Sequence, residues 1–263
     1  MIDRDPSGAR EPVAMASLFS HVDPTFPPLD VLKPVADDVW IVDSGPHRVA
    51  GLQLPVRMSV IRLGDGFLWL HSPTRMTGEL KQALDRLGSV RHLVAPNVAH
   101  WSYLRDWQRS YPMAVTWAAP GLKDRGQVRK AGIRVDHELG DAAPADWAQE
   151  ILQVVVPGLG FREVAFLHRP TRTLLLTDLM MNLEPEKVPR ILRPLAGALG
   201  LVGTDGQPPR YVRFAVSRKR GEAAGAVSRM IAWEPDQVIF GHGRWFPRDG
   251  TEALRRGFAW LLP

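Results

Sequence analysis

The stretch VIFGHG, residues 238–243, leads from a short apolar run into a histidine between two glycines. Upstream, the stretch TLLLTD, residues 173–178, leads in the same way from a run of leucines into an aspartate. A short apolar run bounded by turn residues is typical of a buried β-strand. The two stretches therefore predict two buried strands, and each strand ends at a side chain that can bind a metal or a proton.

Segments of strand and helix character alternate outward from these two stretches. Alternating or continuous apolar runs predict further strands at residues 39–42, 57–63, 66–71, 90–95, 114–117, 151–156 and 164–168. Helical spacing of apolar residues predicts helices at residues 77–87, 103–109, 121–130, 184–202 (with proline breaks), 223–233 and 251–262, and a Gly/Pro loop at residues 203–210. Interleaved strands and helices without an internal repeat predict one α/β domain over residues 29–263. Residues 1–28, rich in Pro, Asp and Ser, predict a poorly ordered or draped N-terminal arm.

The composition excludes several classes of protein. The 263 residues include no cysteine, which rules out disulfides, thiolate metal sites and a cysteine nucleophile, and agrees with a cytoplasmic location. The net charge of +5 is small and spread along the chain, so we do not favour a nucleic-acid partner. No apolar stretch reaches the ~20 residues of a membrane span, so we expect no membrane association. The sequence does not predict the oligomeric state.

Motifs for other chemistries are missing. The sequence has no Gly-x-Ser-x-Gly elbow of the serine hydrolases and no nucleotide-binding Gly-x-x-x-x-Gly-Lys-Ser/Thr loop. The Gly158-Leu159-Gly160 stretch lacks the third glycine of a dinucleotide site.

Five stretches together resemble the metallo-β-lactamase superfamily over roughly residues 36–263. Besides the two strand ends they are Trp69–Pro73, Ala95–His100 and Thr177–Leu179, which resemble an uncharacterised branch of the superfamily whose function is unknown. The resemblance implies a four-layer αββα sandwich of two mixed β-sheets flanked by helices. It also implies a site at the sheet edge where the two strand ends meet.

The usual metal motifs of that superfamily are degenerate here. Where it has His-x-His-x-Asp-His, this chain has Pro96-Asn97-Val98-Ala99-His100-Trp101. Where it has His-Thr-Pro-Gly, this chain has Leu159-Gly160-Phe161-Arg162, and His71 stands in place of a strand-end aspartate.

Three candidate metal ligands survive: His100, Asp178 and His242. Two imidazoles and one carboxylate are enough to bind one Zn or Fe ion, which would activate water, and Asp178 is also the candidate catalytic group. Each residue also has a structural interpretation, as a turn, cap or hydrogen-bonded side chain, and a metal-free site is as plausible as an occupied one. The candidate pocket residues are His71, Asn97, Glu163 and Trp245.

Two functional hypotheses follow from these residues. The first is a metallo-β-lactamase-like hydrolase with a reduced, mononuclear metal site, which acts on an unidentified small ester, lactone, thioester or phosphoester. The alternative is a non-catalytic, metal-free descendant that binds a small molecule or a protein partner. A nuclease is a weaker third hypothesis, since only the basic balance of charges favours it. Residues 184–225 are a candidate lid over the site.

Overall fold

The computed structural model describes residues 22–49, 51–203 and 205–262. Residues 1–21 of the predicted N-terminal arm lie outside this described part. Among the helices that the model describes, none is long and apolar enough to cross a membrane.

The first sheet follows the chain strand by strand. Within the described residues its order is β1 (Lys33–Ala36), β2 (Val39–Val49), β3 (Leu52–Arg62), β4 (Phe67–His71), β5 (Ser89–Ala95), β6 (Val115–Ala118) and β7 (His137–Glu138). Neighbours are antiparallel from β1 to β4 and parallel from β4 to β7. The predicted hairpin is therefore confirmed as β3 and β4. The carboxyl ends of β4 and β5 lie side by side, since parallel strands end at the same edge.

The second sheet brings the two motif strands together. It consists of β8 (Ile151–Pro157), β9 (Arg162–His168), β10 (Thr173–Leu175) and β12 (Gln237–Ile239), in the order β12-β10-β9-β8. The β10 and β12 strands are parallel neighbours. The two segments that follow these strands also pair with each other, because β11 (Met181–Asn182) runs parallel to β13 (His242–Gly243). The segments that carry Asp178 and His242 therefore leave the same sheet edge together.

The two sheets stack face to face, with helices on both outer faces. Side chains of both sheets share one central cluster, which includes Trp69 and Val94 of the first sheet and Phe166 and Ile239 of the second. The outer faces pack against the helices α1 (Gly78–Leu87), α2 (Leu104–Ser110) and α3 (Gly126–Lys130) on one side and α5 (Arg210–Ser217), α6 (Arg220–Ala232) and α7 (Gly250–Phe258) on the other. This is the expected four-layer αββα sandwich of two mixed β-sheets, and the fold prediction is confirmed.

Several helices begin or end away from their predicted limits. The α1 helix begins as predicted, because the Thr77 side chain accepts a hydrogen bond from the Leu80 backbone N–H. Prolines divide residues 184–202 into two 3₁₀ turns and the short α4 (Arg193–Ala198), and the helix predicted at residues 121–130 is confined to α3. The α5 helix follows directly on the predicted Gly/Pro loop and was not predicted. Its buried Val212, Ala215 and Val216 cover the second sheet.

Candidate metal centre

Three side chains from three separate loops converge at the shared sheet edge. Asp178 follows β10, His242 begins β13, and His100 lies in the turn between β5 and α2. The Asp178 Oδ1 atom lies 3.1 Å from His242 Nε2 and 3.3 Å from His100 Nε2. One ligand atom from each residue lies within 4.8 Å of the other two. The structure therefore brings together the three residues that the sequence offered as metal ligands.

The first sheet fixes the orientation of His242. Its Nδ1 lies 2.7 Å from the Pro55 carbonyl oxygen, which only accepts hydrogen bonds, so Nδ1 carries the ring proton. In the neutral ring, Nε2 then carries no proton, and its lone pair faces the Asp178 carboxylate. A lone pair and a carboxylate repel one another unless a second ring proton or a metal ion lies between them.

The two glycines of the GHG motif allow this close approach. A Cβ atom on Gly243 would lie 2.1 Å from the Asn182 carbonyl oxygen, and the residue has a φ of +93°. A Cβ atom on Gly241 would lie 2.9 Å from His100 Cε1. Side chains at either position would therefore push apart the backbone or the imidazole that forms the site.

A backbone turn organised by Asn97 carries His100. The Asn97 Oδ1 atom accepts hydrogen bonds from the backbone N–H groups of Ala99, at 2.8 Å, and of His100, at 2.9 Å. The Asn97 Nδ2 amide donates to Asp178 Oδ2 at 2.7 Å. His100 Nδ1 lies 2.7 Å from the hydroxyl of Ser72, which follows β4. Asn97 therefore links two of the three candidate ligands without entering the cavity.

Glu163 is completely buried beneath Asp178. Its carboxylate accepts hydrogen bonds from the backbone N–H groups of Thr177, at 2.6 Å, Asp178, at 2.7 Å, and Leu179, at 3.1 Å, and from Asn97 Nδ2 at 3.1 Å. A hydrogen bond to a charged group contributes roughly 1.5–3 kcal/mol, so this cradle fixes the backbone on either side of Asp178. Glu163 positions the candidate ligand and does not line the pocket.

The ionisable groups shift one another's pKa values. Burial raises the pKa of Glu163 and the nearby Asp178 carboxylate raises it further, while its hydrogen bonds oppose the change. Burial alone would raise the pKa of Asp178, but His100 and His242 hold it well below its usual range. Burial likewise opposes the charged form of His100, but the two carboxylates raise its pKa. Asp178 therefore carries a full negative charge at neutral pH, as a cation site requires.

A cavity of about 140 Å³ opens above the three candidate ligands. Apolar side chains form much of its wall, and none of the described residues that line it is a lysine or an arginine. The lining residues are His47, Val49, Leu54, Val56, Ser72, Pro73, Thr74, Ala99, His100, Ser102, Tyr103, Asp178, Met181, Tyr211 and His242.

Two predicted pocket residues lie elsewhere. His71 points between the sheets, where it stacks on Trp69 and contacts the edge of Phe166, and burial beside His100 lowers its pKa to about 3. Trp245 lines a separate depression with Arg57 and packs against the apolar core. The structure does not bring either side chain to the cavity.

Sequence reasoning missed the polar residues of the cavity wall. Ser72 lies within the Trp69–Pro73 stretch but is not among the candidate site residues, although it contacts His100. His47 lies 3.3 Å from the Tyr103 hydroxyl, and both residues line the cavity together with Tyr211. Ser72 was the one residue with a detectable signal, since it follows a strand end next to the predicted site.

Comparison with solved structures finds metallo-β-lactamases of the same fold. The metallo-β-lactamase DIM-1, in a crystal exposed to ceftazidime, is 15% identical with a TM-score of 0.60 and covers 91% of this chain and 99% of its own. The metallo-β-lactamase FIM-1 from Pseudomonas aeruginosa, in a mono-zinc form, is 16% identical with a TM-score of 0.57 and covers 90% of this chain and 96% of its own. A metallo-β-lactamase from Hirschia baltica is 11% identical with a TM-score of 0.57 and coverages of 92% and 99%. At these identities the likeness shows the fold alone.

The comparison of sequences identifies a family whose description names no activity. No curated protein matches the chain. Residues 36–221 match the model of a family described as a domain of unknown function, DUF4336. This match spans most of the chain, from the first sheet through the segment that carries Asp178. The chain therefore belongs to the DUF4336 family, and it has a metallo-β-lactamase-like fold.

Proposed function

We propose that the protein is a metal-dependent hydrolase with a mononuclear site formed by His100, Asp178 and His242. The observation that carries this proposal is the convergence of three ligand atoms within 4.8 Å at the edge of a metallo-β-lactamase-like fold. A single ion is also present in the mono-zinc form of FIM-1, which shares the fold. We extend that stoichiometry, and not the substrate of FIM-1, to this chain.

The donor set fits a Zn or Fe ion. Two imidazole nitrogens and one carboxylate oxygen leave an open position, which is typical of catalytic sites with three protein ligands. Metal-binding histidines usually donate their second ring N–H to a carbonyl or a similar acceptor. His242 meets this condition because its Nδ1–H donates to the Pro55 carbonyl oxygen. The Nδ1 atom of His100 has the Ser72 hydroxyl oxygen as the corresponding partner. A cation would also remove the repulsion between the His242 lone pair and Asp178.

The chain supplies the cavity in which the reaction would take place. A bound ion of this type supplies Lewis acidity and activates water at neutral pH. Asp178 and the two histidines would hold the ion at one side of the cavity, and the apolar wall excludes bulk water from it. Because no cationic side chain is among the described lining residues, we favour an uncharged ester, lactone or thioester over an anionic phosphoester.

The metal content of the purified protein tests this proposal. Protein purified without a nickel column should contain about one equivalent of Zn or Fe, as expected for a three-ligand site. The His242→Ala variant should lose the ion together with its esterase activity. The His137→Ala variant is the matched control, because His137 is exposed on β7 and should leave both unchanged. A wild-type metal content below about a tenth of an equivalent would contradict the proposal.

A metal-free binding protein is the second candidate function. The observation in its favour is that Asp178 already has both histidines within 3.3 Å and is held by Asn97, so the cluster has internal partners. The same measurement distinguishes the candidates. A binding protein would contain less than about a tenth of an equivalent of metal in the wild type, and the His242→Ala substitution would not change that content.

A further inference from the structure

The strongest additional signal in the cavity is a chain of three side chains that needs no metal. Ser72 Oγ lies 2.7 Å from His100 Nδ1, and His100 Nε2 lies 3.3 Å from Asp178 Oδ1. A nucleophilic hydroxyl, an imidazole and a carboxylate in this order form the arrangement by which hydrolases activate serine. We propose that, in the metal-free chain, Ser72 is a nucleophile that small uncharged esters acylate, with His100 as its base.

Hydrogen-bond chemistry determines the direction of this chain. A carboxylate only accepts hydrogen bonds, so the contact with Asp178 places the ring proton of His100 on Nε2. When the His100 ring is neutral, its Nδ1 lone pair then faces the Ser72 hydroxyl, which donates to it. This is the tautomer that a general base requires. The geometry therefore assigns Asp178 the role of orienting His100 and stabilising the imidazolium ion that forms.

The backbone of Ser72 supports a functional role for this residue. Ser72 has a φ of +56°, in the left-handed region that residues other than Gly, Asn and Asp rarely adopt. Strained backbone of this kind concentrates at active sites, where the surrounding structure holds it in place. Here the Ser72 backbone N–H is held by the Val94 carbonyl oxygen at 2.9 Å, which directs the residue out of β4 and into the cavity.

Thr74 provides an independent observation on the same wall. Its hydroxyl is buried, and in the described part of the chain it has no hydrogen-bond partner, although the residue lines the cavity. A buried hydroxyl without a partner costs free energy, and a ligand group that reached it would supply the missing partner. A carbonyl oxygen of a bound ester, which becomes negatively charged during attack, is such a group.

The balanced reaction has two stages. First, Ser72 Oγ bonds to the acyl carbon and passes its proton to His100 Nδ1, and the ester alkoxide leaves with that proton as an alcohol. Second, water attacks the acyl carbon and gives one proton to His100 Nδ1. The bond from Ser72 Oγ then breaks, and Oγ recovers the proton. The products are one alcohol and one carboxylic acid, and water is the only co-reactant.

The size and charge of the cavity define the substrate class. A cavity of about 140 Å³ compares with the engineered cavity of roughly 150 Å³ that binds benzene. The acyl or alcohol group that enters should therefore contain about six non-hydrogen atoms. An anionic group would meet the Asp178 carboxylate without any lysine or arginine among the described lining residues.

Metal binding and this reaction should exclude one another. When His100 Nε2 holds an ion, the ring proton lies on Nδ1, and Ser72 Oγ can only accept a hydrogen bond from it. The serine then loses its base. Acylation of Ser72 is therefore expected in chelator-treated protein and suppressed by stoichiometric Zn²⁺.

The experiment treats metal-free protein with 4-nitrophenyl acetate. We expect a burst of about one equivalent of 4-nitrophenol and one acetyl group, which peptide mapping by mass spectrometry locates on Ser72. The Ser72→Ala variant should lose the burst, with acylation at least about 100-fold slower, while the control Ser89→Ala, an exposed serine on β5, retains it. One equivalent of Zn²⁺ should abolish the burst in the wild type.

Each contrary result overturns the inference. Metal-free wild type without an adduct, or with the acetyl group on another residue, would exclude Ser72 as the nucleophile. An adduct that forms equally fast with Zn²⁺ bound would exclude His100 as its base. Peptide mapping of the wild type keeps the test decisive if Ser72→Ala fails to fold. The metal content of the purified protein decides the proposed function separately.

Discussion

The polar layer beneath the cavity, which we call the floor, and the wall that lines the cavity are built differently. In the floor, Asn97, Glu163 and Asp178 are buried, and their carboxylate and amide groups are held by backbone N–H groups and by one another. In the wall, Ser72 has a strained backbone and Thr74 carries a hydroxyl without a described partner. The comparison indicates that several hydrogen bonds fix the polar groups of the floor, whereas in the wall, among the described residues, the Ser72 hydroxyl is hydrogen-bonded only to His100 and the Thr74 hydroxyl has no partner.

The largest effect is expected from Glu163→Gln in the floor. An amide –NH₂ in place of either carboxylate oxygen would face backbone N–H donors, so at least one donor would be left unsatisfied. We expect a loss of about 2 kcal/mol or more in the free energy of unfolding, measured by urea denaturation, and a Tm at least about 4 °C lower.

The control for this variant is Glu79→Gln, at an exposed position in the first turn of α1. Its free energy of unfolding should stay within about 0.5 kcal/mol of the wild type. If Glu163→Gln were equally mild, the floor would not depend on the buried carboxylate, and the contrast with the wall would disappear.

A substitution next to His242, Gly243→Ala, should have an intermediate effect. The added Cβ atom would meet the Asn182 carbonyl oxygen at 2.1 Å, in a residue with a φ of +93°. We expect a destabilisation of roughly 1–3 kcal/mol and weaker metal binding, because the strand that carries His242 must shift. Gly221→Ala in α6 is the matched control, since its Cβ atom would meet nothing within 4 Å. Equal stability and metal affinity in both variants would show that the close approach at Gly243 is dispensable.

The smallest effect on stability is expected in the wall, from Thr74→Val. This substitution keeps the shape of the side chain and removes a hydroxyl that has no partner among the described residues. Stability should be unchanged or slightly higher, because a buried unsatisfied group is lost. Ester turnover should fall about tenfold or more if the hydroxyl binds the substrate carbonyl. A clear loss of stability with unchanged turnover would instead assign Thr74 a purely structural role.

The sequence predicted the parts of the fold that local patterns determine. The β3–β4 hairpin and α1 have regular apolar spacing, and the cap at Thr77 marks where the helix begins. The two-residue strands β11 and β13 are too short to produce a pattern, and they exist only because the ends of β10 and β12 are already paired. The α5 helix lacked a recognisable start, since it follows two prolines.

The sequence predicted only the part of the candidate site that lies at the ends of two strands. Asp178 and His242 follow apolar runs, so their proximity could be inferred from the fold. The role of Glu163 depends on contacts with a segment that returns through a separate strand, which no local pattern reveals. His71 was predicted to line the pocket, but adjacent residues of a strand point to opposite faces. The neighbouring residue Ser72 therefore lines the cavity, and His71 points between the sheets. Trp245 is near His242 in the sequence, but it packs on the other side of that segment.

The most direct test of the central claim is anomalous diffraction at the zinc absorption edge, from crystals grown with one equivalent of Zn²⁺. We expect a single anomalous peak between His100, Asp178 and His242, roughly 2.0–2.2 Å from one atom of each. The contradictory result is no peak at this position while Asp178 Oδ1 remains within 3.3 Å of Nε2 of both histidines.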